Sequence, residues 1–103
     1  MQTPVKQPDE CSTIDEVRTE IDRLDEQIVT ALGQRFAYVK AVTRFKKTAA
    51  DVQATERIRV VLSSRRQWAV DAGLDPAVIE QMYRDLIAYF IAEEKKILHL
   101  PEA

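Results

Sequence analysis

The chain has 103 residues, 46% hydrophobic and 31% charged, which suits one domain with one modest core and lacks the bias of a disordered chain. A net charge of −2 with both signs interspersed excludes the footprint of a nucleic-acid or anionic-membrane binder. Two glycines leave no phosphate-cradling loop, one cysteine excludes an internal disulfide or thiolate cluster, and one histidine excludes a two-histidine zinc site.

Residues 1–11, "MQTPVKQPDEC", carry two prolines and many polar side chains and read as a loose arm ahead of a helical domain over 12–100. Thr13, followed three residues later by Glu16, predicts a capping box and a helix start. Apolar residues then recur at Ile14, Val17, Ile21, Leu24, Ile28, Leu32, Val39 and Val42, predicting one long amphipathic helix to about residue 46. Gly33 costs it about 1 kcal/mol relative to alanine without breaking it. The stretch "KTAADVQA" (47–54) loses the period and reads as a loop.

A second helix starts near Thr55, with Ile58, Val61, Leu62, Trp68 and Ala72 on one side, and stops at Gly73. Asp75 then supplies an N-cap and Pro76 the first helical position of a third helix over about 76–98. Ile79, Tyr83, Ile87, Phe90, Ile91 and Leu98 fall on its inner face. His99 lies beyond and reads as a surface residue. The expected fold is all-α, with a long, a short and a medium helix. A first helix about 50 Å long exceeds the width of a compact domain of this size, which predicts an intertwined homodimer. No stretch is apolar enough for a signal peptide or membrane span, so the expected address is the cytoplasm.

Several charges sit on the wrong side of these helices. With Arg35 at zero on a wheel of about 100° per residue, Val17, Leu24, Ile28, Val39 and Val42 all fall within about 40°, and so does Lys46. Buried cations need anions, and no carboxylate on the same helix is central enough for both. An anionic ligand would fill the gap; snorkelling of the two long side chains is the alternative. Arg18 lies on the border of the stripe, either paired with Asp22 one turn on or, in an antiparallel dimer, close to Arg35 and Lys46 of the other subunit.

On the third helix Glu94 is central among Tyr83, Ile87, Phe90 and Leu98. Apolar surroundings favour the protonated acid, which donates a hydrogen bond, whereas Lys46 nearby would favour a buried Glu94–Lys46 salt bridge. Arg65 is also central on its helix, but close to the helix end, and reads as structural.

The stretches "VRTEIDRLDEQIVTALGQRFAYVKAVTRFK", "ATERI", "AGLDPAVIEQMY" and "YFIAEEKK" resemble the all-helical type II chorismate mutases, across essentially residues 12–98. Within that family they are most similar to the isochorismate pyruvate lyases of salicylate biosynthesis. The resemblance implies an intertwined homodimer with two shared active sites for a dicarboxylate carrying an enolpyruvyl ether. Arg35, Lys46 and residue 94 would come from one chain and Arg18 from the other. Arg18 and Arg35 would hold carboxylates in fork-shaped contacts, and Lys46 and residue 94 would hydrogen-bond the ether oxygen. Val39, Phe90 and Ile91 are the apolar residues assigned to the substrate, and Arg57, in the family's Glu56–Arg57 pair, would approach it. Such chemistry needs no metal, nucleophile or cofactor, because confinement and charge stabilisation suffice.

Two departures bear on activity. Where mutases carry an acidic and a basic contact residue, "DVQATER" offers Val52 and Thr55, as in the lyases. Glu94 stands where the lyases and many bacterial mutases carry glutamine. The expected activity is conversion of isochorismate to salicylate and pyruvate with weak mutase activity. The alternatives are a chorismate mutase forming prephenate, and a non-catalytic helical dimer.

Overall fold

The computed structural model describes residues 4–101, and every regular element among them is helical. Residues 1–3 of the expected arm lie outside the described residues. Helix α1 spans Ile14–Val42, α2 Ala49–Gln53, α3 Thr55–Asp71 and α4 Pro76–Ile97, with short 3₁₀ turns at Pro8–Glu10 and Thr43–Phe45. The all-α reading with long, short and medium helices holds, with two amendments. The α-helical hydrogen bonding of α1 stops at Val42, not near residue 46, and the expected loop over 47–54 contains the five-residue α2. The chain divides into two compact units, one ending at Ala37 and one beginning at Tyr38.

In the first unit the start of α1 is fixed by side chains. The Glu16 N–H donates to Thr13 Oγ1 at 3.1 Å, satisfying one of the donors that every helix start leaves open. The Glu16 carboxylate in turn accepts from the Ser12 hydroxyl at 2.7 Å and pairs with Lys6 of the arm. These bonds, from Lys6 first and Ser12 next, hold the Glu16 carboxyl down at about 2. Ile14, Val17, Ile21, Leu24 and Ile28, the apolar stripe of the sequence pattern, are 63%, 40%, 50%, 49% and 56% exposed. No residue of α1 is buried.

The second unit holds the core. Val52, Val61, Leu62, Ala69 and Phe90 are buried there, where α3 and α2 pack on α4. Val52 is 1% exposed, so α2, too short to persist by itself, is held by its anchor in the core. The face of α3 turns slightly from the expected one: Ala69 is buried, while Trp68 is 56% exposed. Arg65 occupies the space beside it. Its guanidinium carbon lies 4.4 Å from the Trp68 ring centre and 5.5 Å from that of Tyr83, and Nη1 donates to Ser64 Oγ at 2.9 Å. The structural reading of Arg65 thus stands, by cation–π stacking rather than by reaching water.

Helix ends follow local chemistry. Gly73, at φ 78°, closes α3, with the Leu74 N–H reaching Ala69 O at 2.8 Å. Asp75 caps α4 by accepting from the Ala77 N–H at 2.9 Å, and Pro76 follows at the first position. His99, exposed and at φ 56°, ends α4 in the same manner, with the Leu100 N–H on Lys95 O at 2.8 Å.

Candidate active site

The chain leaves α1 through a tight 3₁₀ turn, and that turn aims Lys46. Thr43, 8% exposed, donates from its hydroxyl to Lys40 O at 2.5 Å, and the Lys46 N–H closes the turn on Thr43 O at 3.2 Å. Lys46 itself is extended, at φ −114° and ψ 139°. Its position therefore follows from the turn and not from the wheel of α1.

Immediately after Lys46 the backbone is held again. The Lys47 and Thr48 N–H groups both donate to Asp51 Oδ2, at 2.9 and 3.1 Å, and the Asp51 N–H donates to Thr48 Oγ1 at 3.2 Å. The Lys47 and then the Thr48 N–H groups hold the Asp51 carboxyl below the usual carboxylate range, and the charge of Lys46 adds to this. Sequence reading passed over both Thr43 and Asp51. Thr48 followed three residues later by Asp51 was the available signal, a variant of the capping-box spacing.

From this position Lys46 Nζ meets Glu94 Oε1 of α4 at 2.9 Å, with the two side chains 17% and 5% exposed. Of the alternatives for Glu94, the structure shows the buried salt bridge with Lys46. The counter-ion missing from α1 is supplied, for Lys46, from 48 residues along the sequence. An ammonium carries three donors, and Glu94 occupies one. Two donors of the Lys46 ammonium are left over from the contact with Glu94.

Phe90, one turn before Glu94, is buried at 4% exposure and packs at an angle against Tyr89, with ring centres 5.2 Å apart. Val39 and Ile91 are half-buried in the same unit. Ile91 also lines an open hollow of about 440 Å³ on α4, together with Ala88, Ala92, Lys95 and Lys96. Arg57 on α3 is exposed, and its neighbour Glu56 pairs with Arg59. Arg18 and Arg35 belong to the first unit, Arg18 exposed and Arg35 half-buried. Among the described residues Arg18 forms no ion pair with Asp22.

The profile of the chorismate mutase type II family matches residues 17–95. The chain belongs to that family. It is also similar to the isochorismate pyruvate lyase of Pseudomonas aeruginosa, at 41% identity over 92 residues, covering 89% of this chain and 91% of the lyase. The match embraces Arg18, Arg35, Lys46, Arg57 and Glu94.

Proposed function

We propose that this chain is an isochorismate pyruvate lyase, forming salicylate and pyruvate without a cofactor. The observation that carries the reading is its 41% identity to the P. aeruginosa lyase across nearly the full length of both chains. The buried Lys46–Glu94 pair, with ammonium donors left over for an acceptor, supports the same chemistry.

In this reading the bond from the ring to the ether oxygen breaks while a ring hydrogen passes to the terminal carbon of the enolpyruvyl group. The ether oxygen becomes the ketone of pyruvate, and the ring becomes aromatic. Atoms and electrons balance within one molecule, so the protein supplies no nucleophile. Lys46 donates to the ether oxygen as negative charge gathers there, and Glu94 donates beside it when protonated. Arg35, with Arg18 of the partner subunit, holds the two carboxylates, and Val39, Phe90 and Ile91 exclude water around the ring. Arg57 sits at the margin of the substrate.

The shared site requires a homodimer, which we place in the cytoplasm. Its support is the stripe from Ile14 to Ile28, 40–63% exposed in the single chain and too apolar for a surface meant to face water. No described helix is long and apolar enough to cross a membrane.

The family match favours one second reading, chorismate mutase acting through the same pocket. Product analysis with isochorismate and, separately, chorismate, at about pH 5 and about pH 7.5, tests both. Salicylate with pyruvate is the expected result. Prephenate alone would assign the mutase, and silence on both substrates would overturn the catalytic reading.

A further inference from the structure

Lys46 is an extended residue between two hydrogen-bonded clamps. On its amino side the Thr43–Phe45 turn is closed by its own N–H. On its carboxyl side the next two N–H groups converge on one oxygen of Asp51. Asp51 is in turn fixed by its place in α2, whose neighbouring residue Val52 is anchored in the core. We infer that Asp51 is a positioning residue for Lys46: its carboxylate holds the backbone that sets where the Lys46 ammonium arrives.

The inference rests on the lyase reading for the role of Lys46. Its basis is what Asp51 does beyond capping a helix. Two bonds, Asp51 N–H to Thr48 Oγ1 and Thr48 N–H to Asp51 Oδ2, form the capping box of α2. The third, from the Lys47 N–H to the same Oδ2, lies outside that box, and with the Thr48 N–H it ties both peptide units that follow Lys46 to the carboxylate. Without these ties the chain from Lys46 to Thr48 gains freedom, and the ammonium of a long side chain amplifies any backbone shift. Misplacement of a reacting group by about 1 Å costs on the order of a hundredfold in rate. Asp51 touches no substrate in this account; it acts through Lys46.

Three variants separate positioning from stability, assayed for salicylate formation well below each melting temperature. Asp51→Ala removes both restraints, and its kcat should fall about tenfold to a hundredfold with KM changed about twofold or less. Asp51→Asn keeps an acceptor oxygen and should recover to within about threefold of the wild-type kcat. Thr48→Ala weakens the start of α2 while leaving the Asp51 carboxylate on both N–H groups; it should lower the melting temperature yet keep kcat within about twofold. Wild-type turnover with an unimpaired Asp51→Ala would overturn the inference and leave the lyase reading standing. Loss of kcat in Thr48→Ala in step with its stability, or no recovery in Asp51→Asn, would also overturn it. A wild-type chain that makes no salicylate would overturn both.

Discussion

Replacing Glu94 by glutamine tests the buried pair most directly, because the change alters charge and proton supply while nearly preserving shape. Glu94 is 4% exposed and its Oε1 lies 2.9 Å from Lys46 Nζ. A hydrogen bond to a charged group contributes about 1.5–3 kcal/mol, and a neutral one about 1 kcal/mol. Glutamine keeps the acceptor, so the loss is the difference. Lys46 retains 17% exposure, through which water offsets part of it, leaving a cost of about 1 kcal/mol. For a domain of this size that lowers the melting temperature by about 4–8 °C at fixed protein concentration. Activity should move the other way. The amide donates at every pH, whereas an ionised Glu94 donates nothing and repels a dianionic substrate. Gaining one hydrogen bond of about 1.5–3 kcal/mol at the developing oxyanion raises kcat/KM about tenfold to a hundredfold near pH 7.5. Steady-state kinetics of the two proteins near pH 7.5 check this. A glutamine variant no faster than the wild type would refute the reasoning.

Ala54 joins α2 to α3 at φ 41° and ψ 51°, a left-handed conformation that costs an alanine about 1–2 kcal/mol. Ala54→Gly should therefore stabilise the chain by about 0.5–1 kcal/mol after glycine's entropy cost, and an unchanged or lower urea midpoint would contradict that. The Glu16 carboxyl, held at about 2 by Lys6 and Ser12, lies below the ordinary glutamate value of about 4.3. Its stabilising contribution is complete above about pH 4.3 and is lost as pH falls through about 2. An NMR titration of the Glu16 carboxyl should show this depressed midpoint, rising on Lys6→Ala; an ordinary midpoint in the wild type would count against the link between arm and helix. Ile21→Glu places a charge on a residue 50% exposed in the single chain, so it should be tolerated in a monomer and disfavoured in a dimer. Sedimentation should report a monomer with greatly reduced activity, and an unchanged dimer mass would refute that packing.

Helix identity and helix ends were legible in the sequence where the chemistry is local. Thr13 accepting from Glu16, Asp75 capping ahead of Pro76, and Gly73 at positive φ each involve atoms within a few residues, so spacing alone reports them. The end of α1 was not legible in this way. An α-helix and a 3₁₀ turn differ by only about 20° per residue, so the apolar period runs on through Thr43–Phe45 without a visible break. A five-residue helix such as α2 is likewise too short to display a period. Only the threonine and aspartate at its start could have announced it.

The presence of inward charges at Arg35 and Glu94 belongs to the sequence, because a polar residue on an apolar stripe is visible from periodicity, whereas Lys46 lies past the end of α1 and owes its position to the turn. Arg35 emerged half-buried and Glu94 buried, as that pattern implies. The sequence names Lys46 with Glu94 as one alternative, and that the two do pair belongs to the tertiary structure. The two are 48 residues apart, and their 2.9 Å contact depends on where a 3₁₀ turn releases one chain segment and how α2, anchored by Val52, packs on α4. Periodicity assigns each residue to a face of its own helix, but it carries no information about the rotation and register of one helix against another. Those are set by side-chain packing, and here packing decided between the two alternatives that the sequence left open for Glu94, in favour of the salt bridge with Lys46.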